Sequence, residues 1–334
     1  MSTPQGTFFR PYRAEADLRY SVFGAVYIVP LLTQFCLHAF LLEKELKIKK
    51  IGLLVNRTKP DAIEFARDVV AYLTERGCEV KVEQEIAREI DCAKCSCPEE
   101  ELGDTELLIT LGGDGTILTA SHIAAPKGVP VLGVHMGRFG FIAEANPDEL
   151  LNRLDELMEG DLPVEERMMV QGQVIRAGET VFTAIGLNDI VLNKGARARM
   201  LRIQTAFGEE PFASYAADGV VVATPTGSSA YALSAGGPLV EPTVKALLVV
   251  PICAHTLAAR PLLVPADEII SFTIESDGGE ALFIADSYKV YPLTTGDRVV
   301  VRRADCSTKI VNLGRASFYR KIHQRLLWGE RLNA

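Results

Sequence analysis

One stretch constrains this chain more than any other. Glu106-Leu107-Leu108-Ile109-Thr110-Leu111 is an apolar run, and Gly112-Gly113-Asp114-Gly115-Thr116 follows it without a break. A short apolar run bounded by turn residues reads as a strand buried in a parallel sheet. Glycines let the backbone turn sharply and approach a ligand closely. The helix expected over about Thr116–Ala125 then offers unpaired N–H groups at its start, where phosphate oxygens bind. An aspartate inside such an anion cradle is unfavourable unless it has a task, such as accepting a hydroxyl proton or helping to hold a metal ion. The bland alternative is that Asp114 merely caps the helix. The local pattern favours phosphate chemistry over the cap.

The flanking sequence repeats the strand–helix alternation. Ile51–Val55 reads as a buried strand, and Pro60 opens a helix with Ile63, Ala66, Val69, Val70 and Leu73 at helical spacing. Glu79–Val82 and Val129–Val134 are further strands, and Pro147–Glu159 a further helix. This order predicts a doubly wound α/β domain over residues 49–160. After it the character changes. Met168–Ile175, Thr180–Leu192, Leu201–Ala206, Gly219–Thr224, Ile269–Glu275, Leu282–Ala285 and Arg298–Arg303 are strand-like, and helical spacing is confined to Ser229–Ala235 and Phe318–Leu327. Residues 161–334 are therefore expected to form a β-rich domain with a C-terminal helix packing back, across a cleft from the first.

Composition excludes several classes. Net charge is −8, and no basic run interrupts it, so the footprint that phosphate neutralisation demands of a nucleic-acid binder is missing. Seven cysteines do not make a disulfide scaffold in a chain this long. Cys36, Cys78, Cys253 and Cys306 read as small core residues. Cys92, Cys95 and Cys97 cluster, but with no second pair and no nearby histidine they read as a surface loop rather than a zinc or redox site. Residues 1–48 stand apart. Tyr20–Leu42 is an uncharged run of 23 residues, long enough to span a bilayer, preceded by Arg10, Arg13 and Arg19. A membrane anchor, an extra buried helix and translated sequence upstream of the real start compete for it. The enzyme-like pattern beginning near Lys47 favours the last two, and a cytoplasmic protein.

A second constellation lies in Ala217-Asp218-Gly219 and in Thr224-Pro225-Thr226-Gly227-Ser228-Ser229-Ala230-Tyr231, continuing to Ser234-Ala235-Gly236-Gly237-Pro238. Pro225 and Gly227 force a turn, and hydroxyl residues then start a helix. A tight turn with a cap explains one serine but not this density of hydroxyls and glycines.

With Gly133–Phe141, Leu187-Asn188-Asp189, His255-Thr256-Leu257, Arg260-Pro261 and Asp286, these motifs occur in the order seen in NAD kinases, which the chain resembles from about Lys49 to Trp328. The glycine loop alone is weakly specific, since lipid kinases and phosphofructokinases carry similar loops. Combined with Thr-Pro-Thr-Gly-Ser-x-Ala-Tyr it is highly specific. The resemblance implies transfer of a phosphoryl group from ATP or polyphosphate to the adenosine-ribose 2′-hydroxyl of NAD. It implies Asp114 as proton acceptor with Gly115 beside the substrate, and Gly112, Gly113, Gly115 and Thr116 as the donor-phosphate loop. Asn188, Asp189, Arg199, Asp218, Thr226, Ser229, Ala230, Tyr231, Ala232, Leu233 and Ser234 would line the NAD site. A divalent cation, Mg²⁺, would arrive on the donor, with no metal site of the protein's own. A homo-oligomer, dimer or tetramer, is expected.

The chain also departs from the family pattern. Asp189 is one methylene shorter than the usual glutamate, His135 stands for asparagine, and Ala254 precedes His255 in place of proline. Asp286-Ser287-Tyr288 replaces Asp-Gly-Gln. Two rival readings are a membrane-associated lipid kinase and a non-catalytic NAD(P) sensor. A Rossmann dehydrogenase is disfavoured because no Gly-x-Gly-x-x-Gly opens the first α/β unit.

Overall fold

The computed structural model describes residues 47–137, 140–143, 145–160, 163–195, 200–256, 258–275, 280–314 and 317–326. The apolar run Tyr20–Leu42 and Arg199 lie outside them.

The first half alternates β1 (Lys50–Val55), α1 (Pro60–Glu75), β2 (Glu79–Glu83), α2 (Gln84–Glu89), β3 (Ser96–Cys97), β4 (Leu107–Gly112), α3 (Asp114–Ala124), β5 (Pro130–His135) and α4 (Pro147–Met158). Its strands are parallel in the order β3-β2-β1-β4-β5. That is a doubly wound sheet with its switch point between β1 and β4, where the crevice at the carboxyl ends of the strands receives ligands. Every residue of β4 is buried, as a strand covered on both faces requires. Proline opens α1, which turns Ala62, Ala66, Val69, Val70 and Leu73 inward. A reciprocal cap opens α4: Glu149 donates its N–H to the Asn146 side chain at 3.0 Å, and Asn146 donates its own to Glu149 at 2.9 Å.

The second half comprises β6 (Val164–Arg176), β7 (Glu179–Gly186), β8 (Asp189–Lys194), β9 (Leu201–Phe207), β10 (Glu210–Ala217), β11 (Gly219–Ala223), α5 (Tyr231–Ser234), β12 (Ala246–Ile252), β13 (Leu262–Pro265), β14 (Ile270–Glu275), β15 (Ala281–Ala285), β16 (Lys289–Leu293), β17 (Arg298–Val311) and α6 (Phe318–Leu326). A six-stranded antiparallel sheet runs β13-β12-β11-β8-β15-β16. It packs one face against β6, β9, β14 and β17, through Ile190, Leu192, Val220, Val222 and Phe283 on one side and Val170, Ile203, Phe272 and Val301 on the other. Its other face is covered at Val191, Val221, Leu248 and Val250 by the segment carrying Ala232 and Val240.

Two expectations change. β17 does not stop at Arg303. It runs on to Val311 and pairs in parallel with β5 at Lys309 and Ile310. This C-terminal strand therefore joins the first-half strands to β6, β7, β9, β10 and β14 in one sheet of eleven. The strand read across Thr180–Leu192 is two strands in two different sheets, β7 and β8, broken at Leu187-Asn188. The break is imposed from 97–99 residues away, where the Asp286 carboxylate takes the N–H groups of Leu187, Asn188 and Asp189 out of any ladder.

Candidate active site

The glycine loop leaves the carboxyl end of β4 beside the switch point. Gly112 must be glycine, because a Cβ there would overlap the Thr116 side chain. Gly113 is the N-cap of α3, which starts at Asp114. Thr116 and Ile117 donate N–H to the Gly113 carbonyl at 3.0 and 3.3 Å. Gly113, Gly115, Thr116 and Thr119 line a crevice of about 320 Å³ with Asn56, Glu83 and Glu99. Burial, and then the neighbouring Glu99, push the Glu83 carboxyl up.

Asp114 does not cap α3. Its carboxylate crosses to the turn after β5, where Phe141 donates N–H to Oδ2 at 2.7 Å, and Ile142 and Ala143 donate to Oδ1 at 3.1 and 3.3 Å. Gly140 makes this approach possible, since a Cβ there would overlap the carboxylate. Phe141 and Ile142 also line a second cavity, of about 230 Å³, with Arg167, Thr226, Ser229, Glu241, Phe318 and Lys321. Asp114 thus follows Gly113 of the glycine-loop crevice and bonds to Phe141 and Ile142 of the second cavity.

The acceptor side is knitted by long-range contacts. The Asp286 carboxylate accepts N–H from Leu187 at 2.6 Å, Asn188 at 2.8 Å and Asp189 at 3.0 Å. Oδ2 also lies 3.1 Å from Nε2 of His122 on α3, so one carboxylate ties the glycine-loop helix to the Asn188-Asp189 turn. Asp286 and Ser287 both adopt positive φ, 49° and 56°. Tyr288 packs its ring against His122 and donates to Glu99 at 3.0 Å. Burial and that acidic neighbourhood push its phenol to about 12. The Thr224–Ser229 turn closes on the same backbone. Thr224 donates its hydroxyl to the Leu187 carbonyl at 2.6 Å, and Gly227 lies so close to Asn188 that any Cβ would overlap its backbone.

Asp189 differs from the other carboxylates. It is 5% exposed, and burial together with the adjacent Asp286 pushes its carboxyl up to about 7. The structure thus disfavours its charged form. It also corrects the reading of the hydroxyls. Thr224, Ser228 and Ser229 each donate to a backbone carbonyl, of Leu187, Pro225 and Thr226, so much of their density shapes the turn. Thr226 Oγ1 accepts from Arg167 at 3.4 Å. On α5, Ala232 is buried and Tyr231 and Ser234 exposed, with Ala230 before it and Leu233 half-buried. Asp218 sits at the far end of β11 from Thr224 and pairs with Lys194 at 2.7 Å. Burial raises the Tyr231 phenol, with Cys253, Asp189 and Asp218 adding to it, so Tyr231 lies within electrostatic reach of both aspartates.

Sequence reasoning missed Arg167, His122 and Lys321, which carry no motif and reach the site only through tertiary contacts. Of the cysteines, Cys92 and Cys95 form a disulfide rather than a plain loop, and Cys97 is a buried free thiol in β3. Cys253, expected in the core, is exposed at positive φ.

A glycine loop and helix start on one crevice, a backbone-held carboxylate beside it and a second cavity beyond define a phosphotransferase acting between two ligands. The comparisons with known proteins narrow this class. Residues 51–162 match the ATP-NAD kinase N-terminal domain and residues 187–313 the ATP-NAD kinase C-terminal domain. The chain is 39% identical to the NAD kinase of Heliobacterium modesticaldum over 281 residues, 84% of this chain and 99% of that one. It is 41% identical to that of Symbiobacterium thermophilum over 278 residues, 83% and 98% of the two chains. The crystal structure of yeast NADH kinase complexed with NADH superposes with a TM-score of 0.79 at 26% identity, covering 86% of this chain and 90% of that one. The fold is shared too with an Archaeoglobus fulgidus NAD kinase solved with ATP, at TM-score 0.62 and 23% identity, covering 84% and 97%. The chain belongs to the NAD kinase family.

Proposed function

We propose that this protein is an NAD kinase, transferring the terminal phosphoryl group of ATP to the adenosine-ribose 2′-hydroxyl of NAD to give NADP. The observation that carries this reading is that the Asp114 carboxylate connects the two cavities, lying between Gly113 and Gly115 of the glycine-loop crevice in sequence and bonded to Phe141 and Ile142, which line the cavity bordered by Thr226 and Ser229. The family's relatives, a yeast structure holding NADH and an archaeal one holding ATP support it.

Phosphoryl transfer has a loose transition state, so positioning and charge neutralisation do most of the work. In this reading the amides at Gly113 and Gly115 receive the donor's phosphate oxygens at the start of α3. Asp114 accepts a hydrogen bond from the 2′-hydroxyl, aims it at the phosphorus and takes its proton late in transfer. Asn188, Asp189, Thr226 and Ser229–Ser234 hold the dinucleotide, with Asp218 and Arg199 belonging to the same set by family position. The crevice offers the hard oxygens of Glu83, Glu99 and Asn56, a donor set that suits Mg²⁺. Bound on the donor phosphates, the cation would supply charge neutralisation beside the glycine loop. A homo-oligomer belongs to the proposal, supported by Phe212 and Leu263, which are 56% and 55% exposed on edge strands β10 and β13. So does a cytoplasmic location. Among the described residues no helix is long and apolar enough to cross a membrane.

The test is NADP formation from NAD by the purified protein, read with an NADP-specific dehydrogenase and with ATP, other nucleoside triphosphates and polyphosphate offered in turn. Turnover with ATP is expected. NAD binding by calorimetry without turnover on any donor would make the protein a sensor, and phosphorylation of a lipid in place of NAD would make it a lipid kinase.

A further inference from the structure

We propose that Lys321, on the C-terminal helix α6, is a positioning residue for phosphoryl transfer, acting through one peptide group on the orientation of Asp114. Lys321 is 4% exposed, and its ammonium donates to the Phe141 carbonyl at 3.1 Å, 180 residues away in sequence. That carbonyl belongs to the same peptide plane as the Ile142 N–H, which donates to Asp114 Oδ1 at 3.1 Å. A peptide plane is rigid, so fixing its oxygen fixes the direction of its N–H. The order along the chain of contacts is ammonium, carbonyl, amide, carboxylate, in which each dipole polarises the next in the favourable sense.

The consequence falls on the carboxylate. An ionised carboxylate has about four acceptor positions. Phe141, Ile142 and Ala143 occupy three, one on Oδ2 and two on Oδ1. The position left is on Oδ2, and the cradle decides where it points. If the 141–142 peptide tilts, Oδ1 loses a donor, the carboxylate rotates, and the remaining acceptor no longer meets the substrate hydroxyl at the angle transfer requires. Lys321 also lines the cavity containing Thr226 and Ser229, so α6 closes over the site it adjusts. Burying an ammonium is costly without partners, and here the carbonyl it meets is one that matters to the base.

This inference rests on Asp114 being the proton acceptor, and the experiment separates the two claims. Lys321→Met is measured in the wild-type and Asp114→Asn backgrounds, with thermal melts confirming that each variant is folded. In the wild-type background kcat should fall roughly 5- to 50-fold while KM for NAD changes less than about threefold. In the Asp114→Asn background the same substitution should change kcat less than about twofold, because the group it orients is gone. Lys321→Arg, which keeps N–H donors on a long stem, should recover most of the rate. Should Lys321→Met not fold, the same pair of measurements is made with Lys321→Gln, which keeps a neutral donor and should show the same loss of effect in the second background. Equal falls in both backgrounds, or a raised KM with unchanged kcat, would overturn the role of Lys321. If Asp114→Asn alone turns over normally, it is the assignment of the base that fails.

Discussion

Two carboxylates of the site meet opposite treatment. Asp114 is half-buried and receives three backbone N–H bonds from one turn. Asp189 is buried, and its nearest acidic neighbour, Asp286, has collected the N–H groups of the turn on which Asp189 itself sits. Three backbone amides hold the first in one orientation. Burial and a like charge push the second up to about 7. Under the proposed function, the difference separates chemistry from recognition. Under that function, the group that accepts the proton is held and aimed by backbone donors. In the same proposal, the group that meets ribose hydroxyls waits, poorly solvated, for the ligand to supply its hydrogen bonds.

The largest effect should come from removing what keeps the two sides in register. Asp286→Ala strands three backbone N–H groups and His122 in the interior, and each unsatisfied buried donor costs on the order of 1–3 kcal/mol. Urea denaturation should show a loss of roughly 3 kcal/mol or more. A loss below about 1 kcal/mol would mean that the turn after β7 holds itself, and the comparison would lose its partner residue.

A smaller and pH-dependent effect is expected at Asp189. Its carboxyl titrates near 7 in the folded chain against about 4 unfolded, so the folded state binds the extra proton between those values. The stability cost of ionising it is absent below about pH 4, grows through that window and is complete above about pH 7. Asp189→Asn should therefore stabilise the ligand-free protein by on the order of 1–3 kcal/mol at pH 8 and hardly at all at pH 4.5. Thermal melts at the two pH values check this. Equal melting shifts at both would show that the carboxyl is not the strained group.

The smallest effect belongs to Asp218. Its bridge to Lys194 is about one-third exposed on both sides, and such pairs contribute roughly 0–1 kcal/mol. Asp218→Asn should leave the melt within about 2 °C of wild type while weakening NAD binding measured by calorimetry. A large stability loss with unchanged affinity would reassign Asp218 to the fold.

The donor side was legible because it is contiguous. Strand, glycines, aspartate and helix follow one another in a dozen residues, and the physics of each is local. On the acceptor side the Thr224–Pro238 segment stood out by its hydroxyls and glycines, but its role came from family resemblance and its construction was hidden. One strand was read across Leu187-Asn188, where Asp286 makes two. Ala246–Ile252 is a continuous apolar run buried on both faces, the same signal that marks Leu107–Leu111, and the reading passed over it. β17 was ended at an arginine, although a register shift between Arg303 and Ser307 lets it continue. His122, Arg167 and Lys321 reach the site across 59 to 180 residues of chain, and nothing local marks them.

The contrast between the two carboxylates is the central claim, and one steady-state experiment tests it most directly. NADP formation is measured for Asp114→Asn and Asp189→Ala side by side, with NAD and ATP varied in turn. A crossed pattern is predicted. Asp114→Asn should lower kcat by on the order of 10²–10⁴ with KM for NAD nearly unchanged. Asp189→Ala should raise KM for NAD about ten- to hundredfold, through loss of ~1.5–3 kcal/mol of charge-assisted hydrogen bonding, and leave KM for ATP alone. If both variants lose kcat alike, or Asp189→Ala affects NAD and ATP equally, the two carboxylates do not divide the work and the account is wrong.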